Sequence, residues 1–267
     1  LFYIMHDPSD TKVHRKIEIG SLWDHFNVKG YGAVGDGTTD DTVAIQAAID
    51  AATDACQAGK PSTVYLPPGQ YKVTTTLMIG ETQGVHGLTI QGAAAPALGQ
   101  VLGAGNPSTL YLTSNILWYG TTAQPVFQFT GPNLSSQNGV RGFRMADVSI
   151  DGYAVAGTDD YAAWTASVDT DKMATCGIAL GEYDAAVNQI MVGMHFERVS
   201  VGRCRIGAWA GRGIVGGPSH GQINWTMCNF RQNLDHGYLQ LGANTAAVTM
   251  QSCRWYGNGF DPTNDTI

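Results

Sequence analysis

The sequence is short of charge: Lys, Arg, Asp and Glu make up only 14% of its 267 residues, too few to clothe a surface of long amphipathic helices. Acids outnumber bases and the net charge is -7, so the basic footprint that nucleic acid or an anionic membrane requires is missing, and neither is expected as a partner. No apolar run reaches eighteen residues, which excludes a transmembrane helix. The opening Leu1-Phe2-Tyr3-Ile4-Met5 meets His6 and Asp7 too soon to serve as a signal peptide. Because the first residue is Leu1 rather than Met, an upstream segment is expected. Five cysteines, at 56, 176, 204, 228 and 253, form no CxxC and no Cys/His metal spacing, so buried free thiols are expected, with no metal and no cofactor.

Glycine, at 34 residues, is abundant. Many tight turns between short strands follow from that, and the chain reads as mainly β. One helix interrupts the pattern. Thr39, Asp40 and Asp41 are all suited to an N-cap, and Ile45, Ala48, Ile49, Ala52 and Cys56 fall on one apolar stripe that runs to Gly59. Two β stretches follow, around Val64 and Val73, hinged at Pro67-Pro68-Gly69. Beyond them come VHGLTIQG, STLYLT, PVFQFTG, RMADVSIDG, CGIALGE, MHFERVSVG, INWTMCNF and AVTMQSCRW, all separated by Gly, Asn or Asp turns.

These stretches repeat. Phe196 to Val201 aligns with Trp225 to Phe230 and with Met250 to Trp255, which places Val199, Cys228 and Cys253 in one frame at steps of 29 and 25 residues. Val148 and Ile150 fit the same frame, and CGIAL, CRIGAW and HGYLQL are companions downstream. A period of about 20–30 residues with two or three strands per unit is that of a parallel β solenoid, whose equivalent residues stack about 4.8 Å apart. The apolar end of such a stack needs a lid, and the helix from Asp40 to Gly59 suits that task.

The stretch from Phe26 to Ala52 (FNVKGYGAVGDGTTDDTVAIQAAIDAA), followed by Val64-Tyr65-Leu66-Pro67-Pro68-Gly69, resembles the opening of the pectate-lyase-like superfamily of phage tailspikes and secreted glycan hydrolases. The resemblance implies an all-β fold: a right-handed parallel β-helix with an N-terminal capping α-helix. It also implies a carbohydrate-related role and often a homotrimer. Residues 1–26 are expected to connect an upstream anchor to a β-helix occupying 27–267 and continuing beyond it. HDPSD followed by HRKIEIGSLWD is similar to the linking segment of phage tail proteins. The expected protein is therefore a virion tailspike or tail fibre that meets host surface polysaccharide outside the cell and other tail proteins through its N-terminus. A secreted hydrolase or lyase and a non-catalytic fibre are the alternatives.

A glycoside hydrolase needs two carboxyl groups, about 6.5–9.5 Å apart for inversion. Glu182 and Asp184, at i and i+2 on an extended chain, are about 7 Å apart and are the candidate catalytic pair. Asp147 and Asp151 lie too far apart to share one bond, and all four acids have a plainer reading as solvated turn or surface acids. Histidines 220 and 236, in SHG and DHG, lack the aspartates that the polygalacturonase branch places beside its Gly-His-Gly, and His236 reads as a turn residue. Arg198, Arg231 and Arg254 could supply a base or a surface patch. Trp164 and Tyr161, in the long insertion 152–175, and Trp209 are candidate sugar-stacking rings, whereas Trp225 and Trp255 align with core positions.

Overall fold

The apolar stripe becomes a helix, Thr42–Gln57, with Ile45, Ala48, Ile49, Ala52 and Cys56 all buried. In the computed structural model, which describes residues 25–60, 62–80, 84–95, 113–129, 139–153, 169–181, 189–211, 214–215, 221–241 and 247–259, this helix closes one end of a coil stack. Its Gln46 side chain forms a pair of hydrogen bonds with the backbone of Met78, Nε2 to the carbonyl at 3.0 Å and Oε1 from the amide at 2.9 Å. Met78 lies on an edge strand, Leu77–Ile79, whose backbone would otherwise lack a partner on that side.

The two acids before the helix divide their labour differently from a simple cap. Asp41 occupies the N-cap position but turns back, accepting the amides of Val34 at 2.7 Å and Gly35 at 3.0 Å. Asp40 instead accepts the Thr42 amide at 3.0 Å and hydroxyl at 2.6 Å, and its other oxygen accepts the Thr74 hydroxyl at 2.6 Å. The acidic pair thus stitches the glycine-rich turn and the first coil to the helix start. At the far end Gly59, in the left-handed region at φ 76°, takes the chain out of the helix.

Among the described residues every strand pairing is parallel, and the coils visit the sheets in the same order. The first sheet holds His25–Asn27, Ser62–Leu66, Leu88–Gly92, Arg144–Ala146, Met194–Glu197, Gln222–Thr226 and Ala247–Gln251. The second holds Asp36–Asp40, Gly69–Val73, Ser114–Trp118, Val148–Asp151, Ser200–Gly202, Asn229–Arg231 and Arg254–Tyr256, and the third holds Leu77–Ile79, Phe127–Phe129, Cys176–Leu180, Ile206–Ala210 and His236–Gln240. A small fourth sheet of four strands leads back to the first. The fold is the parallel β solenoid expected from the repeat, the right-handed parallel β-helix that the family resemblance implies.

Register follows the sequence alignment residue for residue. Phe196 pairs with Trp225 and Trp225 with Met250, while Ile150, Val201, Phe230 and Trp255 form a second column. Between these columns Val199 and Cys228 are buried, and their carbonyls accept the amides of Asn229 and Arg254 in the next coil, each at 2.9 Å. Trp255 holds its core position but is 49% exposed, one face lying on Phe230.

The corners repeat too. Asp147, Arg198, Met227 and Ser252, all with φ between 50° and 60°, occupy the turn from the first sheet to the second in successive coils. Arg203, Gln232 and Gly257 do the same at the next corner. Just past it, buried Asn233 accepts the Cys204 amide at 3.1 Å and donates at 2.8 Å to Asn258, whose amide in turn donates to the Phe230 carbonyl. This short asparagine ladder satisfies turn backbone that faces inward.

Three expectations need amendment. The second-sheet strand after Gly69–Val73 is Ser114–Trp118, fully buried, directly following the expected STLYLT, which itself lies almost wholly outside the described residues. His236 opens a strand instead of sitting in a turn, since its neighbours continue the third sheet. His25 and Phe26, placed in the connector, already pair with Thr63 and Val64; the remainder of that connector lies outside the described residues.

Candidate functional site

Because side chains alternate along a strand, each inward column has outward neighbours. On the first sheet these form a neutral network. Arg144 binds Glu197 at 2.7 Å and Gln91 at 3.0 Å; Arg198 binds both oxygens of Asp147 at 2.6 and 2.9 Å and also meets Glu197; Gln91 donates to Asp147 at 2.8 Å. Burial works to raise the Asp147 carboxyl, but the Arg198 and Gln91 hydrogen bonds outweigh it and hold the group below its ordinary range. Arg144, against some burial, does the same for Glu197. Both acids are held ionised and fully engaged, so neither is placed to give or take a proton.

The outer face of the second sheet differs. Asn115, Ser149, Ser200 and Asn229 share one register position, and Leu117, Asp151, Gly202 and Arg231 share the next outward one. All of these side-chain positions are buried although they point away from the core. Asp151, 1% exposed, accepts Arg203 Nε at 2.9 Å on one oxygen and Arg203 NH2 on the other, and it also accepts the Tyr153 amide at 3.1 Å. Arg231, 5% exposed, folds back over Gly202: a Cβ at that glycine would stand 2.8 Å from the Arg231 Cγ and 3.3 Å from its Nε.

Four buried polar atoms on and beside this face have no hydrogen-bond partner: Ser149 Oγ, Arg231 Nε and NH1, and Gln232 Oε1. Burial drives the Arg231 guanidinium to a lower pKa than usual, against the help of Asp151. Nearby, burial pushes the Tyr119 hydroxyl upward, and Lys72 lies 5.2 Å from the centre of that ring. Leaving a buried polar atom unpaired costs about 1–3 kcal/mol, more when it is charged.

Most of the residues singled out by sequence fall elsewhere. Glu182, Asp184, Trp164 and Tyr161 lie outside the described residues. Trp209 points to the outer side of the third sheet, yet it is 7% exposed, packed with Cys176, Ala179 and Ile206, and its indole N–H donates to the Gly181 carbonyl at 3.1 Å. Asp147 and Asp151, read as solvated acids, are instead buried and ion-paired, because their arginine partners sit one coil away. Of the three arginines considered, Arg198 is committed to Asp147 and Arg231 belongs to the buried face. Arg203 and Asn233 were missed. They lie at the turns just past Ser200–Gly202 and Asn229–Arg231, beyond the frame in which Phe196 to Val201 aligns with Trp225 to Phe230. Among the described residues no three His, Cys, Asp or Glu side chains converge as metal ligands.

Comparison with known proteins places this geometry in context. A family model described as rhamnogalacturonase A/epimerase, pectate lyase-like, matches residues 25–254. Mannuronan C5-epimerase AlgE6 of Azotobacter vinelandii is 61% identical over 49 residues, 18% of this chain and 5% of that protein. AlgE3 of the same organism is 38% identical over 127 residues, 48% of this chain and 6% of that protein. The chain thus spans less than a tenth of the length of these relatives. Among solved structures, ORF18 of Geobacillus virus E2 superposes with a TM-score of 0.46 at 20% identity, covering 94% of this chain and 48% of that one.

Proposed function

This chain belongs to the rhamnogalacturonase A/epimerase, pectate-lyase-like family, and on that premise we propose that it is the polysaccharide-directed part of a virus tailspike or tail fibre, recognising host surface polysaccharide. The observation that carries the reading is the outer face of the second sheet, where Ser149, Arg231 and Gln232 hold buried polar atoms without partners. A glycan supplies hydroxyl and acidic groups at short intervals and can meet such groups coil after coil. Within this reading, residues 1–26 link to other tail proteins, the assembly is a homotrimer, and the protein resides on the virion, outside the cell. The relatives named as mannuronan epimerases favour a second reading, a secreted enzyme that modifies an acidic polysaccharide.

Recognition is better supported than cleavage, since Asp147, Asp151 and Glu197 are each tied to an arginine. Any hydrolysis is assigned to Glu182 with Asp184, beside sugar-stacking Tyr161 and Trp164. The test is to mix the full chain with a panel of purified bacterial capsular polysaccharides and with mannuronan, recording binding, products and mass in solution. A trimer that retains a capsular polysaccharide supports the tailspike reading. A monomer that converts mannuronan supports the second, and no binding to any polysaccharide sinks both. If products form, Glu182→Gln and Asp184→Asn should slow their formation by orders of magnitude; near-normal turnover in both eliminates that pair.

A further inference from the structure

Cys228 and Cys253 are register neighbours on adjacent coils. Thr226 pairs with Gln251 just before them and Asn229 with Arg254 just after, and the Cys228 carbonyl accepts the Arg254 amide at 2.9 Å. Neighbouring strands lie about 4.8 Å apart, inside the window of about 4.4–6.8 Å between Cα atoms that a disulfide spans. Cys228 Sγ leans back on the coil before it, 3.4 Å from the Phe196 carbonyl oxygen. Cys253 Sγ leans back in the same way, 3.3 Å from the carbonyl oxygen of Trp225, which belongs to the coil of Cys228. The Cys253 sulfur thus already occupies the space between the two coils. A turn of Cys228 about χ1 releases Phe196 and brings the second sulfur into that space. Each cysteine follows a left-handed corner residue, Met227 or Ser252, and lies between strands instead of inside one. There the backbones need approach by only a few tenths of an ångström to reach the Cβ separation of about 3.5–4.5 Å that the bond requires.

We propose that Cys228 and Cys253 are a redox pair that a peroxide closes into a disulfide, fastening one coil to the next. This goes beyond the polysaccharide reading and does not rest on it. Cys253 is half-buried and starts the reaction, so no outside reagent has to reach Cys228. A hydrogen bond from Cys228, against some burial, brings the Cys253 thiol down to about 7, which makes the thiolate, the attacking form, abundant at neutral pH. The thiolate attacks one peroxide oxygen: an S–O bond forms, the O–O bond breaks and hydroxide leaves, giving a sulfenic acid at Cys253. Cys228 then attacks that sulfur. The S–S bond forms, the S–O bond breaks, and the Cys228 proton departs with the hydroxyl group as water. Two thiols give up two electrons to the peroxide, and with the proton that Cys253 shed the products are one disulfide and two waters. Cys56, Cys176 and Cys204 are buried and offer no exposed thiol to begin the same sequence. Val199 holds the equivalent place one coil earlier, so the fastening is confined to this pair of coils.

The test treats the native full chain with hydrogen peroxide, blocks the remaining thiols with iodoacetamide in denaturant, and maps tryptic peptides. Arg231 and Arg254 are cleavage sites that part the two cysteines, so the bond should appear as peptide 213–231 joined to peptide 232–254. The joined pair should be lighter than the sum of its parts by two hydrogens, and dithiothreitol should separate it. Cys56, Cys176 and Cys204 should remain as thiols. The oxidised protein should melt above its reduced form, because closing the loop between the two residues constrains the unfolded chain. In Cys228→Ala nothing resolves the sulfenic acid, so dimedone added with the peroxide should label Cys253 in that variant and far less in the parent. Cys228→Val, which copies Val199 of the preceding coil, serves if the Ala variant does not fold. Cys253→Ala should keep all of its thiols under the same treatment. The proposal is overturned if the parent keeps its five thiols, if Cys253 stops at an oxygen acid while Cys228 stays free, or if the bond that forms joins two chains.

Discussion

Trp225 lies flat on Phe196 of the preceding coil, ring centroids 4.1 Å apart and planes 14° from parallel. That stack is the physical form of a 29-residue step in the sequence. It lies within a column that runs from Met145 through Phe196 and Trp225 to Met250, so register errors would cost the whole column.

The same register makes the Val199, Cys228 and Cys253 column testable. Val199→Asp or Cys228→Asp should cost several kcal/mol, a large part of the about 5–15 kcal/mol that holds a domain together, and leave little folded protein by circular dichroism. Cys253 is only half-buried, so Cys253→Asp should be milder. Normal melting of the Val199 variant would show the column to be misassigned.

Removing methylenes under the lid should be felt by the whole stack. Ile49 is buried against the first coil, and Ile49→Ala should lower unfolding stability by about 2–5 kcal/mol in urea titrations. Hydrogen exchange should show the Thr42–Gln57 amides protected as strongly as the first-coil strands. A rapidly exchanging helix would remove its role as a cap.

Acid should loosen the first corner. The folded Asp147 carboxyl lies below its ordinary value, so its contribution is fully present above the unfolded carboxylate range and is lost as pH falls through the lower, folded value. Between about pH 5 and pH 2 the parent should therefore lose stability more steeply than Asp147→Asn. Equal slopes in urea midpoints across that interval would mean that the Arg198 pair does not respond to the proton.

Thiol chemistry should be confined to one residue. Cys56, Cys176, Cys204 and Cys228 are buried and only Cys253 is half-exposed. A hydrogen bond from Cys228 draws the Cys253 thiol below its usual value, against some burial, while that contact and burial push Cys228 up. Since the thiolate is the nucleophile, iodoacetamide should label native protein once, at Cys253, and Cys228→Ala should slow the reaction at neutral pH. Labelling at Cys176 or Cys204 would contradict the packing.

Local periodicity was legible before any coordinates. The stripe Ile45, Ala48, Ile49, Ala52 and Cys56 required a helix and an apolar surface to cover, and the frame shared by Val199, Cys228 and Cys253 required parallel coils. Both inferences depend only on which side chains share a face, and that is set by residue spacing. The Gly59 exit and the Pro67-Pro68-Gly69 hinge follow from backbone chemistry at single residues.

Other features were decided only by how the coils stack. Asp151 meets Arg203 across 52 positions and Asp147 meets Arg198 across 51, separations that depend on an insertion whose length no local pattern dictates. Whether an outward polar side chain is wet or buried is likewise a property of the assembled surface, which is why Asp147 and Asp151 read as solvated acids and prove to be buried ion pairs. The unpaired guanidinium of Arg231 exists because Gly202, one coil before it, leaves space for a side chain to lie across, and because Arg203 reaches Asp151 first. Sequence spacing determined the helix, the coil and the register, for these arise from neighbours along the chain; the charge balance of the candidate site arose from neighbours across coils, and only tertiary packing could set it.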